Sequence, residues 1–140
     1  MDETTYRKTY FVDPPPPQLF EFLGIRGAAL YFLDFERAVG FYTSVLGPPG
    51  YVEGTGTRGW KIGNSGLTLL KGGSGAPTNT EVPFVMQSPA EAERLQAAFI
   101  AAGATGPPPT DQLMYEPVRF CPVVDPFGTE ILIYAPLTQL

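Results

Sequence analysis

The chain has no histidine and a single cysteine among its 140 residues. Without histidine there is no Ser-His-Asp or Cys-His nucleophile, no HExxH zinc protease and no His-ligated iron. Any metal site would rest on carboxylates, and acid–base chemistry falls to Asp, Glu, Lys, Tyr or Cys121. One thiol forms no internal disulfide, which suits a reducing cytosol. Basic residues are scarce too: nine Lys and Arg stand against fourteen Asp and Glu, for a net charge of −5. They are scattered and form no stripe, so no nucleic-acid partner is expected. No apolar run approaches the roughly 18 residues of a membrane span. The start, Met1-Asp2-Glu3-Thr4, lacks the basic and apolar regions of a signal peptide. These absences imply a soluble, cytoplasmic protein without a membrane partner.

What is plentiful is glycine and proline, 16 of each, roughly double their usual share. Both break helices, which argues against a long-helix bundle. The chain is not thereby disordered, because 44% of it is hydrophobic and ten Phe, seven Tyr and one Trp supply a core. The length fits one domain, or two small modules sharing a core.

Residues 1–24 read as an arm. It carries Tyr6, Tyr10, Phe11 and Val12, then four prolines from Pro14 to Pro17, which favour polyproline II and exclude helix there. It either packs its aromatics on the domain or a partner subunit, or serves as a proline-rich ligand for another protein. From Ile25 the pattern is regular. Ala28 to Leu33 is an apolar strand-like run, and Asp34 sits at a helix N-cap. Ala38, Phe41, Tyr42 and Val45 then mark one helix face, closed by Gly47 and Pro48-Pro49. Strands follow at Tyr51–Glu53, Gly59–Ile62 and Leu67–Leu70, with Asn64-Ser65-Gly66 as a tight turn. After a polar connection over 72–80 the pattern restarts. Val82–Met86 reads as a strand. Ser88-Pro89-Ala90-Glu91 is a capping box, Leu95, Ala98, Phe99 and Ala102 form the apolar stripe, and Gly103 is the stop. Pro107 to Pro109 open a loop, and strands follow at Val118–Val124 and Ile131–Tyr134 around Asp125-Pro126-Phe127-Gly128. The β-α-β-β-β pattern thus occurs twice, over 25–71 and 81–137, and this repetition points to the fold more than any single motif.

The repeat, with Leu33-Asp34-Phe35-Glu36-Arg37-Ala38, Phe41-Tyr42, Leu46-Gly47 and the later Pro89-to-Leu95, Ala102-Gly103-Ala104 and Asp125-Pro126-Phe127-Gly128 segments, resembles the vicinal oxygen chelate superfamily of glyoxalases, bleomycin-resistance proteins and extradiol dioxygenases. The resemblance covers residues 25–137. It implies an α+β fold of two tandem βαβββ modules that form a curved, mostly antiparallel sheet around a cavity, with helices outside. Many relatives are dimers, so a homodimer is expected. It also implies where a metal would be held in the metalloenzymes: seven residues before Asp34, which is Gly27; near Thr68 or Leu69; near Glu81; and seven residues after Asp125, which is Leu132. Only Glu81 is a strong donor, and one carboxylate does not hold Fe, Mn, Ni or Zn tightly. The expectation is therefore no metal and no cofactor. Glu130 shares a strand face with Leu132 but lies roughly 7 Å from that place.

The Gly54-to-Gly59 stretch matches G-x-G-x-x-G, but no helical period follows it, so it reads as a glycine-rich loop between strands. Arg119 and Cys121 alternate on one strand face, with Val118, Phe120 and Val124 on the helix-covered side. Arg119 is a candidate anchor for a carboxylate or enolate oxygen, or else an exposed residue paired with Glu116 or Glu130. Cys121 is a candidate lining residue or a small packing residue, with no histidine to activate it. Tyr31, Trp60, Tyr115, Tyr134 and Leu132 are candidates to line the cavity, Lys61 and Glu81 are candidate bases, and Asp34 and Asp125 read as structural. The expected function is small-molecule binding without the usual metal. A metal-independent isomerase, lyase or hydrolase using Glu81, Lys61 and Arg119, and an interaction module acting through the arm, remain as alternatives.

Overall fold

A computed structural model describes residues 1–19, 27–73, 80–114 and 116–137. Its elements in chain order are α1 (Glu3–Tyr10), β1 (Gly27–Phe32), α2 (Phe35–Leu46), β2 (Tyr51–Glu53), β3 (Thr57–Ile62), β4 (Ser65–Lys71), β5 (Glu81–Val85), α3 (Pro89–Ala101), β6 (Thr110–Met114), β7 (Glu116–Phe120), β8 (Val123–Val124) and β9 (Glu130–Pro136). Two sheets result, β1-β4-β3-β2 and β5-β9-β7-β6, with β8 paired to β9. In each, the first strand runs parallel to the last and the other pairs are antiparallel. This is the twice-repeated βαβββ α+β arrangement expected from the sequence.

Alternation along the strands decides what each sheet buries. Leu30, Phe32, Leu67 and Leu69 of the first sheet and Val82, Phe84, Ile131 and Ile133 of the second all turn into one core shared with α2 and α3. Phe99 of α3 sits at its centre, its ring 6.1 Å from Phe41, 6.2 Å from Tyr42 and 6.2 Å from Phe84. Burying each such side chain contributes about 1.5–3 kcal/mol. The remaining face of each sheet is turned away from the helices. The edge strands β1 and β5 meet along a cleft of about 390 Å³ lined by Gly27, Gly66, Glu81 and Pro83 among others.

Local signals place the helices. The Asp34 carboxylate accepts from the Arg37 amide at 3.3 Å, and Ser88 Oγ accepts from the Glu91 amide at 3.2 Å. The Glu91 carboxylate turns to Arg94. Gly47 closes α2 at φ +85°. Elsewhere the structure corrects the sequence reading. The hairpin between β3 and β4 turns on Gly63-Asn64, because Ile62 pairs with Ser65 and Gly63 takes φ +58°, a conformation that favours glycine. The buried stripe of α3 is Ala92, Gln96 and Phe99, while Ala98 is exposed. Gln96 is buried because its amide donates to the carbonyls of Pro107 and Pro122 at 2.9 and 3.0 Å, closing two proline loops at once. Residues expected to continue the loop after Pro109 form β6, and Val118–Val124 is broken into two strands.

The arm departs furthest from expectation. Residues 3–10 are helical, capped by Asp2 accepting from the Thr5 amide and stapled by an Arg7–Glu3 ion pair. No residue of this helix is buried. Its aromatics pack within the arm: Tyr6 lies 5.2 Å from Tyr10 and 6.2 Å from Phe11. With Val12, Pro15 and Pro16 they line a hollow of about 300 Å³. The arm's last expected residues, 20–24, lie outside the described ones.

Candidate functional site

Register fixes which side chains share the open face of the first sheet. Lys61 pairs with Gly66, and Gly66 with Gly27, making one row across β3, β4 and β1. The next row runs Tyr51, Gly59, Thr68 and Ala29 across β2, β3, β4 and β1. The third is Glu53, Thr57, Leu70 and Tyr31. The first two rows are almost bare of side chains, and a trough of about 890 Å³ lies over them. That volume is in the range of small-molecule sites. Tyr51 flanks it, its Cβ so near that a Cβ on Gly59 would approach to 3.3 Å. The Tyr51 hydroxyl donates to Glu53 at 3.1 Å, and this bond pushes its pKa up. Lys61, Asn64 and Ser65 stand at the other end.

On the second sheet the same register gives Glu81–Glu130, Pro83–Leu132 and Val85–Tyr134 as the pairs facing away from α3. Phe120, paired with Tyr134, joins them. Of the places at which the resemblance puts a metal, Gly27 and Thr68 lie over the trough and Glu81 and Leu132 on the open face of the second sheet, whereas Leu69, the alternative to Thr68, is buried in the core. Their donor set is one carboxylate, one hydroxyl, a glycine and a leucine, which does not fit a divalent metal. Among the described residues no group of three His, Cys, Asp or Glu side chains is placed to hold a metal ion.

The sequence candidates divide between the two sides. Tyr31, Lys61, Glu81, Leu132 and Tyr134 face the open side. Lys61 and Glu81 are exposed, whereas Leu132 and Tyr134 are half-buried. Arg119 and Cys121 do not face it, which reverses the expected alternation. Arg119 pairs across the strands with the core residue Ala135 and with Asp111, and its guanidinium is held by Asp111 and by Glu93 of α3 at 2.9 Å. Those bonds, Asp111 first, raise its pKa. Cys121 is fully buried in the core, and burial pushes its thiol up. The Trp60 indole also turns to the helix side, donating to the Gly47 carbonyl at 2.8 Å, so only the strand at Trp60 borders the trough. Tyr115 lies outside the described residues. The Gly54-to-Gly59 stretch is a short turn running into β3, and Arg58 is spent on the Gly54 and Thr57 carbonyls and the Phe35 ring.

Sequence reasoning missed the floor itself. Gly59 and Gly66 carry no chemistry, and only pairing shows that they adjoin. It also missed the tie between two motifs. The Tyr42 hydroxyl of α2 donates to Asp125 at 2.6 Å, while the other Asp125 oxygen accepts from the Phe127 and Thr129 amides at 2.8 Å each. Burial, then the Asp125 charge, raises the Tyr42 pKa far above its ordinary value. Asp125 is thus structural, as expected, but it joins the halves as well as shaping its turn.

No family model matches the sequence, and no curated protein is matched by it. Solved structures do match in fold. A glyoxalase/bleomycin resistance protein/dioxygenase from Nocardioides is 20% identical, with a TM-score of 0.64, over 99% of this chain and 98% of that one. A glyoxalase/bleomycin resistance protein from Albidiferax ferrireducens is 20% identical, TM-score 0.64, over 77% and 95%. The fosfomycin resistance protein FosX from Mesorhizobium loti is 15% identical, TM-score 0.59, over 82% and 93%. The chain has the fold of these proteins, which is the vicinal oxygen chelate fold. Among its described residues no helix is long and apolar enough to cross a membrane.

Proposed function

We propose that this chain, with its glyoxalase/bleomycin-resistance fold, is a small-molecule-binding protein that works without the superfamily's usual divalent metal. The observation that carries the reading is the trough over Gly59, Gly66, Thr68 and Ala29. It occupies the open sheet face, includes two of the places where a metal would be held, and offers no donor set for one. The domain of residues 25–137 is the binding unit, acting in the cytoplasm as a homodimer without nucleic acid. The scattered basic residues and net charge of −5 support the last point.

The test is a metal analysis of the purified protein beside a thermal-shift screen of small molecules, run on the wild type and on Gly66→Leu. Ligands that raise the Tm of the wild type and not of the variant are expected. A stoichiometric, tightly held metal, or a set of hits indifferent to Gly66→Leu, would sink the reading.

A further inference from the structure

Among the described residues Lys61 is the only charged side chain lining the trough. Among the described residues it makes no ion pair. The cation expected to anchor an anion, Arg119, is on the other side of its sheet and already held by two carboxylates. Arg58, three residues before Lys61, also points to the helix side and is engaged. The ammonium that stands ready is Lys61, with the Asn64 amide and Ser65 hydroxyl as neutral donors at the same end.

The shape of the floor narrows the ligand further. Gly66 and Gly27 form one row, and Gly59, Thr68 and Ala29 the next. Three strands span about 10 Å, and two rows along a strand span about 7 Å. That is the outline of one or two fused aromatic rings, and a surface of glycine and alanine is flat enough to seat them face-on. The negative groups lie off this ground. Glu53 stands in the third row and receives the Tyr51 hydroxyl, and Glu81 lines the adjoining cleft beyond β1. Charge therefore falls from positive at β3 to negative at β5.

We propose that the trough binds a flat organic anion, an aromatic carboxylate or phenolate, laid on the glycine and alanine floor with its charged oxygen on Lys61 Nζ. This rests on the small-molecule reading above and deepens it.

The experiment is calorimetry on the full chain with two probes of one shape, 2-naphthoate and the neutral 2-naphthamide. The naphthoate is expected to bind about tenfold or more tightly than the amide, the share of a charge-assisted contact. Lys61→Gln is expected to erase that difference and leave the amide unchanged, while Lys61→Arg keeps it. Gly66→Leu, which fills the floor, is expected to abolish both. Ala29→Leu, at an exposed position of an edge strand, does the same should Gly66→Leu fail to fold. Equal binding of the two probes, or naphthoate binding untouched by Lys61→Gln, overturns the anion assignment. If in that case the floor variants still abolish binding, the small-molecule reading survives without it. Failure of both probes to bind, or binding indifferent to both floor variants, overturns the two together.

Discussion

In the first half of the molecule, the strand pairs facing away from the helices are Gly27–Gly66, Ala29–Thr68 and Tyr31–Leu70. The matching pairs of the second half are Glu81–Glu130, Pro83–Leu132 and Val85–Tyr134. The pairing is the same, parallel first strand to last, and the helix-facing residues are equally apolar in both. What differs is the outward set, almost bare over its first two pairs in one half and filled in the other. One backbone plan thus supports two surfaces, because alternation separates the residues that hold the fold from those free to vary. The half that looks emptiest chemically is the half with room for a ligand.

The contrast breaks most sharply at its first pair. A Cβ at Gly27 would lie 1.8 Å from the Gly66 carbonyl oxygen. Gly27→Ala is expected to cost about 3 kcal/mol or more in a urea melt. Glu81→Ala, at the matching exposed place, is expected to stay within about 0.5 kcal/mol. Equal costs would mean that the two halves do not differ at their first pair.

Next in size is the tie between the halves. Tyr42→Phe removes the donor to a buried carboxylate and is expected to lower stability by about 2 kcal/mol at neutral pH. The tyrosine also sets an alkaline limit. Its folded pKa is raised above the ordinary 10.0, so its contribution is complete below that pH. Above it the unfolded chain loses a proton that the folded one keeps. Stability then falls by about 1.4 kcal/mol per pH unit from this group. Denaturant melts from about pH 9 upward should show that slope in the wild type and a shallower one in Tyr42→Phe; identical slopes would contradict the tie.

The smallest effect is a transplant. Leu132→Thr gives the second half the residue of the first at its half-buried place, and is expected to cost about 1 kcal/mol. Unfolding monitored by circular dichroism checks it, and a cost above about 3 kcal/mol would show that the second face is core.

Much of this was legible in the residues. Asp34 and Ser88 announced their helices, and the repeat announced the fold. The candidate site was legible only by position: Gly27, Glu81, Leu132 and Thr68 lie on open faces while Leu69, the alternative to Thr68, turns into the core, and the residues that shape the trough carry no functional groups to notice. Arg119 and Cys121 were misassigned because Val118, fully buried, looks like a helix-side residue although strand parity sets it opposite Arg119. Gln96 hid in the same way, a polar residue buried by the two carbonyls it serves. In the arm, α1 buries no residue, so no core-facing stripe marked its helix in the sequence.

The Tyr42–Asp125 bond spans 83 residues of sequence and crosses the segment between the two halves. A protease that nicked the chain within residues 74–79 would sever its only covalent link there. The halves would still share one set of packed rings and this one proton, so the cut protein should travel through a sizing column as a single particle until it is denatured.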